Sequence, residues 1–545
     1  MNTNSKFAWN LGDIFDAVGE AVDPTRPALI HRERTLSWSE FNASTNNLAK
    51  NLIARGASPN DKVAFYLANG TQYTQLVVAC MKARLVHVNV NYRYLEDELH
   101  YIIDNSDAKF VVYSSQFAAR IANIHSRCNK VSHFIEVDDS GAAGPPTNDF
   151  AEDMKGLLNE GDGHRLDIRR SPDDLVFIYT GGTTGMPKGV MWRQHDLWGG
   201  FGGGKSHPCA YRVLDNVNEL AAAVKSYEKP LTQLIACPLM HGTGLFTALT
   251  TLTGGGTLVT MGVNGLDPEL TWQTAQDSKA KSIVIVGDAF ARPMLNTLET
   301  TPGKWDLSAL RLIISSGVMW SSETKKGLMN LIPQLICADL FGSSEALGFG
   351  NSISSEETGV QTARFRIGDH CKVFTESQRE VLPGSDQKGF VARTGAIPLG
   401  YYKDEAKSQK TFPIINGVRY SVPGDWCTVD ENGFIRLLGR GSACINTAGE
   451  KVYPEEVEEA LKRHADIDDA LVIGLEDEKW GMAVTAILKP RAGKVIEASR
   501  IHSHIKTLLA AYKAPKNYIM SGKSFRAVNG KADYKSAKAF AIESL

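Results

Sequence analysis

No stretch of this 545-residue sequence approaches the ~20 consecutive apolar residues that a membrane-spanning helix needs; the longest, such as Leu76–Met81, are far shorter. Met1–Asn10 hold one lysine and no apolar core, so neither a signal peptide nor an integral membrane segment is expected. Cysteine is sparse and scattered. The eight residues Cys80, Cys128, Cys209, Cys237, Cys337, Cys371, Cys427 and Cys444 form no C-x-x-C pair, which argues against a disulfide framework or a zinc site. A reducing, cytoplasmic setting fits that pattern. The thirteen histidines include no H-E-x-x-H spacing, and His502 and His504, two apart, suit a surface helix better than a metal site. Neither sign of charge dominates: Lys and Arg number 59, Asp and Glu 61. Without a basic excess or a polybasic run, nucleic acid and anionic membrane surfaces are poor candidate partners. No internal repeat is found, and no Ser-His-Asp or paired-carboxylate signature.

What is present is a large apolar fraction, 43%, enough for a substantial core. At roughly 150 residues per domain, the length predicts three or four structural units. Short β-type runs alternate with helical stretches. Strands are expected at Val63–Leu67, Phe110–Tyr113, Leu175–Tyr179, Gln233–Cys237, Ser282–Val286 and Leu312–Ser315, and helices near Thr71–Ala83, Gln116–His125 and Glu219–Lys225. Such alternation points to an α/β fold of parallel-type sheets covered by helices. Asp138–Pro146 is polar and rich in Gly and Pro, so it reads as a surface loop. After about Glu380, regularly placed glycines (Gly384, Gly389, Gly395, Gly400, Gly417, Gly424, Gly433) predict a small β-rich subdomain, about 380–438. From Val452 the pattern becomes helix (Pro454–Arg463), strand (Ala470–Leu475), strand (Ala483–Lys489) and helix (Ile501–Leu509), a compact α+β unit. The expected division is a large N-terminal domain, 1–440, and a small C-terminal domain, 441–545, joined at Gly439-Arg440-Gly441-Ser442.

The most informative segment is Tyr179-Thr180-Gly181-Gly182-Thr183-Thr184-Gly185-Met186-Pro187-Lys188-Gly189, which follows a strand. Its glycines free backbone N–H groups to fold around an anion, the threonines add hydroxyl donors, and Lys188 adds positive charge. A triphosphate needs that combination. The segment is not a kinase-type P-loop, because Pro187 precedes Lys188 and Gly189 stands where a magnesium-holding Ser or Thr would be. It resembles the phosphate loop of the adenylate-forming superfamily: acyl-CoA synthetases, firefly-type luciferases and peptide-synthetase adenylation domains. Gly181 departs from the serine that many members carry.

Further segments match in family order. Pro238-Leu239-Met240-His241-Gly242 resembles the stretch whose His closes the acyl pocket. Ile314-Ser315-Ser316-Gly317-Val318 resembles the adenine-binding strand and turn. Phe341-Gly342-Ser343-Ser344-Glu345 resembles Tyr-Gly-x-Thr-Glu, in which an aromatic stacks near adenine, a hydroxyl meets phosphate and Glu345 would hold Mg²⁺. Pro423-Gly424-Asp425 resembles Thr-Gly-Asp, whose carboxylate accepts both ribose hydroxyls. Gly439-Arg440 resembles the segment whose Arg faces ribose and phosphate. Gly449-Glu450-Lys451 resembles the stretch that presents glycine to the pantetheine tunnel. Asn529-Gly530-Lys531-Ala532-Asp533 resembles the Gly-Lys-x-Asp whose Lys bridges the acid and the α-phosphate. Taken singly, each short motif has a bland explanation as a cap, a turn or a solvated lysine; matching in order from Tyr179 to Asp533, they do not.

The resemblance implies a ligase that forms an acyl-adenylate from a carboxylic acid and ATP, then passes the acyl group to coenzyme A. Catalysis would rest on Lys531, Glu345, Thr184 and His241. ATP would be held by Thr180, Gly181, Gly182, Thr183, Thr184, Gly185, Lys188, Ser316, Gly317, Phe341, Gly342, Ser343, Ser344, Asp425 and Arg440, and CoA would pass Gly449. It also implies a mobile C-terminal domain pivoting at Ser442, where many members carry Asp or Lys, and it allows a homodimer. Both reacting partners are anions and the acid is already ionised, so charge neutralisation and positioning are expected in place of a general base. The strings Gly189–Arg193, Gly287–Pro293, Pro398–Glu405, Asn416–Tyr420 and Leu438–Ser442 look like bacterial acyl-CoA synthetases for long-chain and steroid side-chain acids. Small residues between Trp198 and Pro230, and around His241–Gly244, are expected to line a wide acid pocket. Loading of a carrier protein, or a non-catalytic ATP sensor, remain the alternatives at this point.

Overall fold

The computed structural model describes residues 8–138, 144–180, 186–262, 265–318, 320–440, 445–447, 450–477, 481–509, 511–527 and 530–545. Among these, two large sheets dominate. The first has eight strands, in the order Gly400–Tyr401, Lys188–Arg193, Leu175–Thr180, Val86–Asn89, Lys62–Tyr66, Ala108–Ser114, His133–Val137 and Ala151–Asp153. All its pairings from Leu175–Thr180 onward are parallel. The second has thirteen strands. Its parallel half runs through Pro27–His31, Thr257–Thr260, Thr232–Ile235, Ser282–Ile285, Leu312–Ser316 and Ile336–Ser343. It turns antiparallel at the Ile336–Ser343/Ala346–Ser354 hairpin and continues through 364–440. Parallel strands are buried on both faces, so Ser282–Ile285 and Val86–Asn89 are fully buried, the polar His87 and Asn89 included. The mixed α/β class read from the sequence is therefore what is found.

Strand and helix ends differ from expectation for local reasons. The Thr232–Ile235 strand stops short of Cys237, because Pro238 has no N–H and disfavours a regular ladder around it. The Ser282–Ile285 strand ends before Val286, where Gly287 turns the chain at φ 54°. The helix expected at Gln116 opens with a 3₁₀ turn, Ser115–Phe117, before Ala118–His125. The C-terminal strands run longer than expected, Ile467–Asp477 and Gly481–Pro490, their polar ends carried by an antiparallel ladder. Part of the Asp138–Pro146 loop, the phosphate loop from Gly181 to Gly185, the expected pivot Ser442 and Gly449 lie outside the described residues.

The cores are separate. One runs from Trp9 to Phe412 through both large sheets. A second lies under the antiparallel strands around Phe341, Phe365 and Val391. A third, from Ile445 to Ala514, belongs to the C-terminal α+β unit, in which the helices Pro454–Lys462 and Ala498–Leu508 accompany the Ile467–Pro490 hairpin.

The two large sheets share no strand, yet one side chain spans them. Asn89, at the carboxyl end of its strand and 4% exposed, donates to the carbonyls of Tyr179 (2.9 Å) and Met240 (2.7 Å), and accepts from the Tyr179 N–H (2.6 Å). It thus ties the strand leading to the phosphate loop to the segment preceding His241. A buried backbone group left unpaired costs roughly 1–3 kcal/mol. Asn89→Leu, which keeps the volume and strands three such groups, is expected to lower stability by about 3 kcal/mol or more. The check is the urea midpoint followed by far-UV circular dichroism; a shift indistinguishable from zero would show the tie to be dispensable.

Candidate active site

Several of the described residues singled out from the sequence lie where the parallel strands end. Thr180, Ser316 and Ser343 are the last residues of their strands, and the Pro238–His241 and Val286–Asp288 turns follow two others. Open α/β sheets bind ligands at this carboxyl edge.

Glu345 sits at the tip of the hairpin where the larger sheet changes direction. It is 8% exposed, and three neighbours hold it. The Tyr401 hydroxyl donates to Glu345 Oε1 (2.8 Å), the Ser421 hydroxyl donates to its carbonyl (2.6 Å), and its N–H donates to Ser343 Oγ (3.2 Å). The Trp192 indole donates to the carbonyl of Ser344 (2.9 Å), which seats the hairpin on the Lys188–Arg193 strand. Gly342 is needed here: an added Cβ would meet the Ala346 carbonyl at 3.0 Å. Phe341 packs against Phe349 and Phe365, with centroids 5.2 Å apart in each case, so the aromatic expected near adenine is anchored from the core side. Lys188 is ion-paired to Asp404, whose carboxyl is held below the usual range first by that contact. The Tyr402 N–H donates to the Gly189 carbonyl (2.8 Å). One short segment, Gly400–Asp404, therefore braces both the end of the phosphate loop and Glu345.

Across the cleft, His241 caps the Gly242–Thr253 helix with an extended backbone. Burial, then the nearby charges of Lys531 and Arg93, depress its pKa to about 3, so it is a neutral imidazole at any working pH. Its Nε2 is buried with no hydrogen-bond partner among the described residues. A Cβ on Gly317, which has φ 89°, would lie 3.6 Å from Thr243 Oγ1 and 3.9 Å from Val286 Cγ1. A Cβ on Gly530 would lie 2.8 Å from that of Ala289 and 3.7 Å from Val318 Cγ2. The Ser316–Val318 turn, the His241 helix, the start of the Asp288–Thr300 helix and the Gly530–Lys531 loop thus converge. Asp425, 7% exposed, is directly opposite Arg440 across the Asp425–Val429 and Phe434–Arg440 strands.

Of the small residues expected to line a wide acid pocket, Gly244 needs correction. A Cβ on Gly244 would collide with the backbone of Pro238 and Leu239, so this glycine serves close helix packing rather than an opening. Gly200 and Gly204 likewise abut Leu347 and Leu214. The Val217–Ser226 helix packs on Leu11–Ala21. A Cβ on Gly242 would meet only the Phe246 ring.

Sequence comparison decides the family. The AMP-binding enzyme family profile matches residues 17–393, and the AMP-binding enzyme C-terminal domain profile matches residues 456–531. The chain belongs to the AMP-binding enzyme family. A 3-oxocholest-4-en-26-oate–CoA ligase of Rhodococcus rhodochrous is 37% identical, covering 96% of this chain and 95% of its own. A medium/long-chain-fatty-acid–CoA/3-oxocholest-4-en-26-oate–CoA ligase of Mycobacterium marinum is 35% identical, covering 97% and 96%. In fold, the ATP-bound MatB of Rhodopseudomonas palustris is similar over 97% of this chain and 98% of its own, with a TM-score of 0.80 at 21% identity. This member of the family is an AMP-forming acyl-CoA synthetase, with an acid, ATP and CoA as substrates.

Asn89, Trp192, Tyr401, Asp404 and Ser421 were not identified as site residues from the sequence. Their task is to hold other residues, and no spacing signals that. Tyr401→Phe removes the donor to Glu345 Oε1, a loss of about 1–3 kcal/mol of fixed geometry. Acyl-AMP formation is expected to slow by about tenfold, with CoA transfer from supplied acyl-AMP spared. Pyrophosphate release and thioester formation, measured separately, test this.

Proposed function

We propose that this synthetase activates a long-chain or bulky, steroid-derived carboxylic acid, with Lys531 and Glu345 as the residues that carry adenylation. The observation that supports this most is the convergence of the Gly530–Lys531 loop with the start of the Asp288–Thr300 helix, the Ser316–Val318 turn and His241. The acid carboxylate and the α-phosphate repel each other. Lys531 and Arg93, both near the neutral His241, give the cleft the positive field that lets two anions meet. Thr180, Gly181, Gly182, Thr183, Thr184, Gly185 and Lys188 would cradle the phosphates. Ser316, Gly317, Phe341, Gly342, Ser343 and Ser344 would border adenine and the α-phosphate, and Asp425 with Arg440 the ribose. In attack, the carboxylate oxygen bonds to phosphorus while the bond to pyrophosphate breaks. No proton moves, because the acid is already ionised.

Glu345 would hold Mg²⁺. The groups around it are oxygens (its own carboxylate, the Tyr401 hydroxyl on Oε1 and Ser343 Oγ beside its N–H), and no group of three or more His, Cys, Asp or Glu residues gathers for a metal among the described residues. That set suits magnesium, which binds one or two carboxylates plus substrate phosphates. When bound, the ion neutralises phosphate charge as pyrophosphate leaves.

For the second half-reaction, the C-terminal domain, 441–545, would turn about a pivot near Ser442, removing Lys531 and bringing Gly449 to the CoA tunnel. The thiol sulfur then bonds to the acyl carbon, the bond from that carbon to the phosphate oxygen breaks, AMP leaves and the thiol proton passes to solvent. The preference for a large acid is carried by the two relatives named above. Each buried methylene contributes about 0.8 kcal/mol, close to fourfold in affinity.

Two experiments test these readings. Lys531→Ala is expected to slow adenylation by about 10²–10³ while sparing thioester formation from supplied acyl-AMP; equal loss of both steps would count against the assignment. In competition among equimolar acetate, octanoate, palmitate and a cholestenoate-type acid, the two large acids should dominate the products resolved by mass. A preference for acetate would reject the large-acid reading and leave the ligase assignment intact.

A further inference from the structure

The first turn of the Asp288–Thr300 helix receives the C-terminal domain at two points. Ala289 abuts Gly530, one residue before Lys531. Its neighbour Asp288 meets the Pro454–Lys462 helix, whose last residue, Lys462, brings its Nζ to 4.0 Å from Asp288 Oδ2. The two oxygens of Asp288 are used differently. Oδ1 accepts the N–H and hydroxyl of Ser321 (3.1 and 3.0 Å), which fixes the side chain on its own domain. Oδ2 is buried, makes no hydrogen bond among the described residues, and lies between Lys462 and Arg292, the latter at 3.9 Å. Lys462 is itself almost fully buried and also pairs with Glu459. Burial works against its charge, but Glu459 and Asp288 outweigh burial and keep it protonated. Asp339 faces the same cluster: burial first, with Asp288 and Glu459 adding, raises its pKa to about 6 against the pull of Lys325.

We propose that Asp288 is a positioning residue for adenylation: its carboxylate engages Lys462 and so sets the C-terminal domain in the orientation that delivers Lys531. Two attachment points are what a rigid body needs to fix both the position and the tilt of a loop. The Gly530 contact supplies the first and the Asp288–Lys462 pair the second. When the domain leaves for the CoA step, Asp288 keeps Arg292 as a partner on its own domain and Lys462 keeps Glu459. Neither charge is stranded, and the pair can part and re-form in each cycle. The proposal rests on the reading of Lys531 given above.

The test uses the full-length enzyme and both half-reactions. Asp288→Asn keeps an oxygen for Ser321 and removes only the charge. It is expected to slow acyl-AMP formation about 10- to 100-fold, the scale of misplacing a catalytic group, and to leave CoA transfer from supplied acyl-AMP at or above the wild-type rate. Lys462→Met should give the same split, and the double variant should be no worse than either single one. Adenylation at the wild-type rate in Asp288→Asn, or a parallel fall in both half-reactions, would overturn the proposal. Lys531→Ala is run alongside. If it loses adenylation while Asp288→Asn does not, the positioning role alone fails; if Lys531→Ala retains adenylation, the reading of Lys531 fails with it.

Discussion

The site lies between the edges of two sheets that have no strand in common, so its geometry depends on what joins them. One hydrogen bond of Asn89, to the Met240 carbonyl, makes that join, while its other two hold the Tyr179 backbone that leads to the phosphate loop. A second tie runs through the Gly400–Asp404 segment, which pairs with the smaller sheet and reaches Glu345 on the larger one through Tyr401. Both ties use buried polar groups paired to backbone or to a carboxylate. They are directional, and an apolar contact of the same area would hold the sheets together without fixing their register.

The same logic governs the electrostatics. The chemistry joins two anions, so positive charge has to be present before they arrive, and it must not be neutralised from within. His241 stays neutral, because burial holds its pKa near 3, so it adds no charge of its own there. Lys188 is treated in the opposite way. Asp404 engages it and fixes its stem where the loop rejoins the sheet, which makes it a brace for the loop as well as a source of charge.

Much of this was legible in the sequence. Motifs expected to meet a nucleotide must present particular atoms at particular spacings, and Thr180, Ser316, Ser343, Glu345 and Asp425 fall where strands end or turn, as their local sequences imply. Strand interiors were legible for a similar reason, because double burial demands runs such as Ser282–Ile285. What escaped were the residues that act through others. Asn89 reads as an ordinary polar residue at a strand end, and its partners lie 90 and 151 positions away. Glycines misled in one respect. Small size around Gly244 was taken for space, whereas the glycine is there because the backbone of Pro238 leaves no room for a Cβ. Small residues permit both a cavity and a close contact, and only the three-dimensional neighbour separates the two.

The cluster of Asp288, Asp339, Arg292, Lys325, Glu459 and Lys462 also bears on how the two domains respond to temperature. An interface closed mainly by apolar surface gives up a large heat capacity when it opens, and its equilibrium drifts steeply between cold and warm. Exposing charged groups changes heat capacity with the opposite sign. A seam that combines the small apolar contact at Gly530 and Ala289 with ionic groups therefore lets the two contributions offset each other. In the swing proposed above, those opposing contributions would make the opening of this seam less temperature-dependent than that of an apolar seam of the same area.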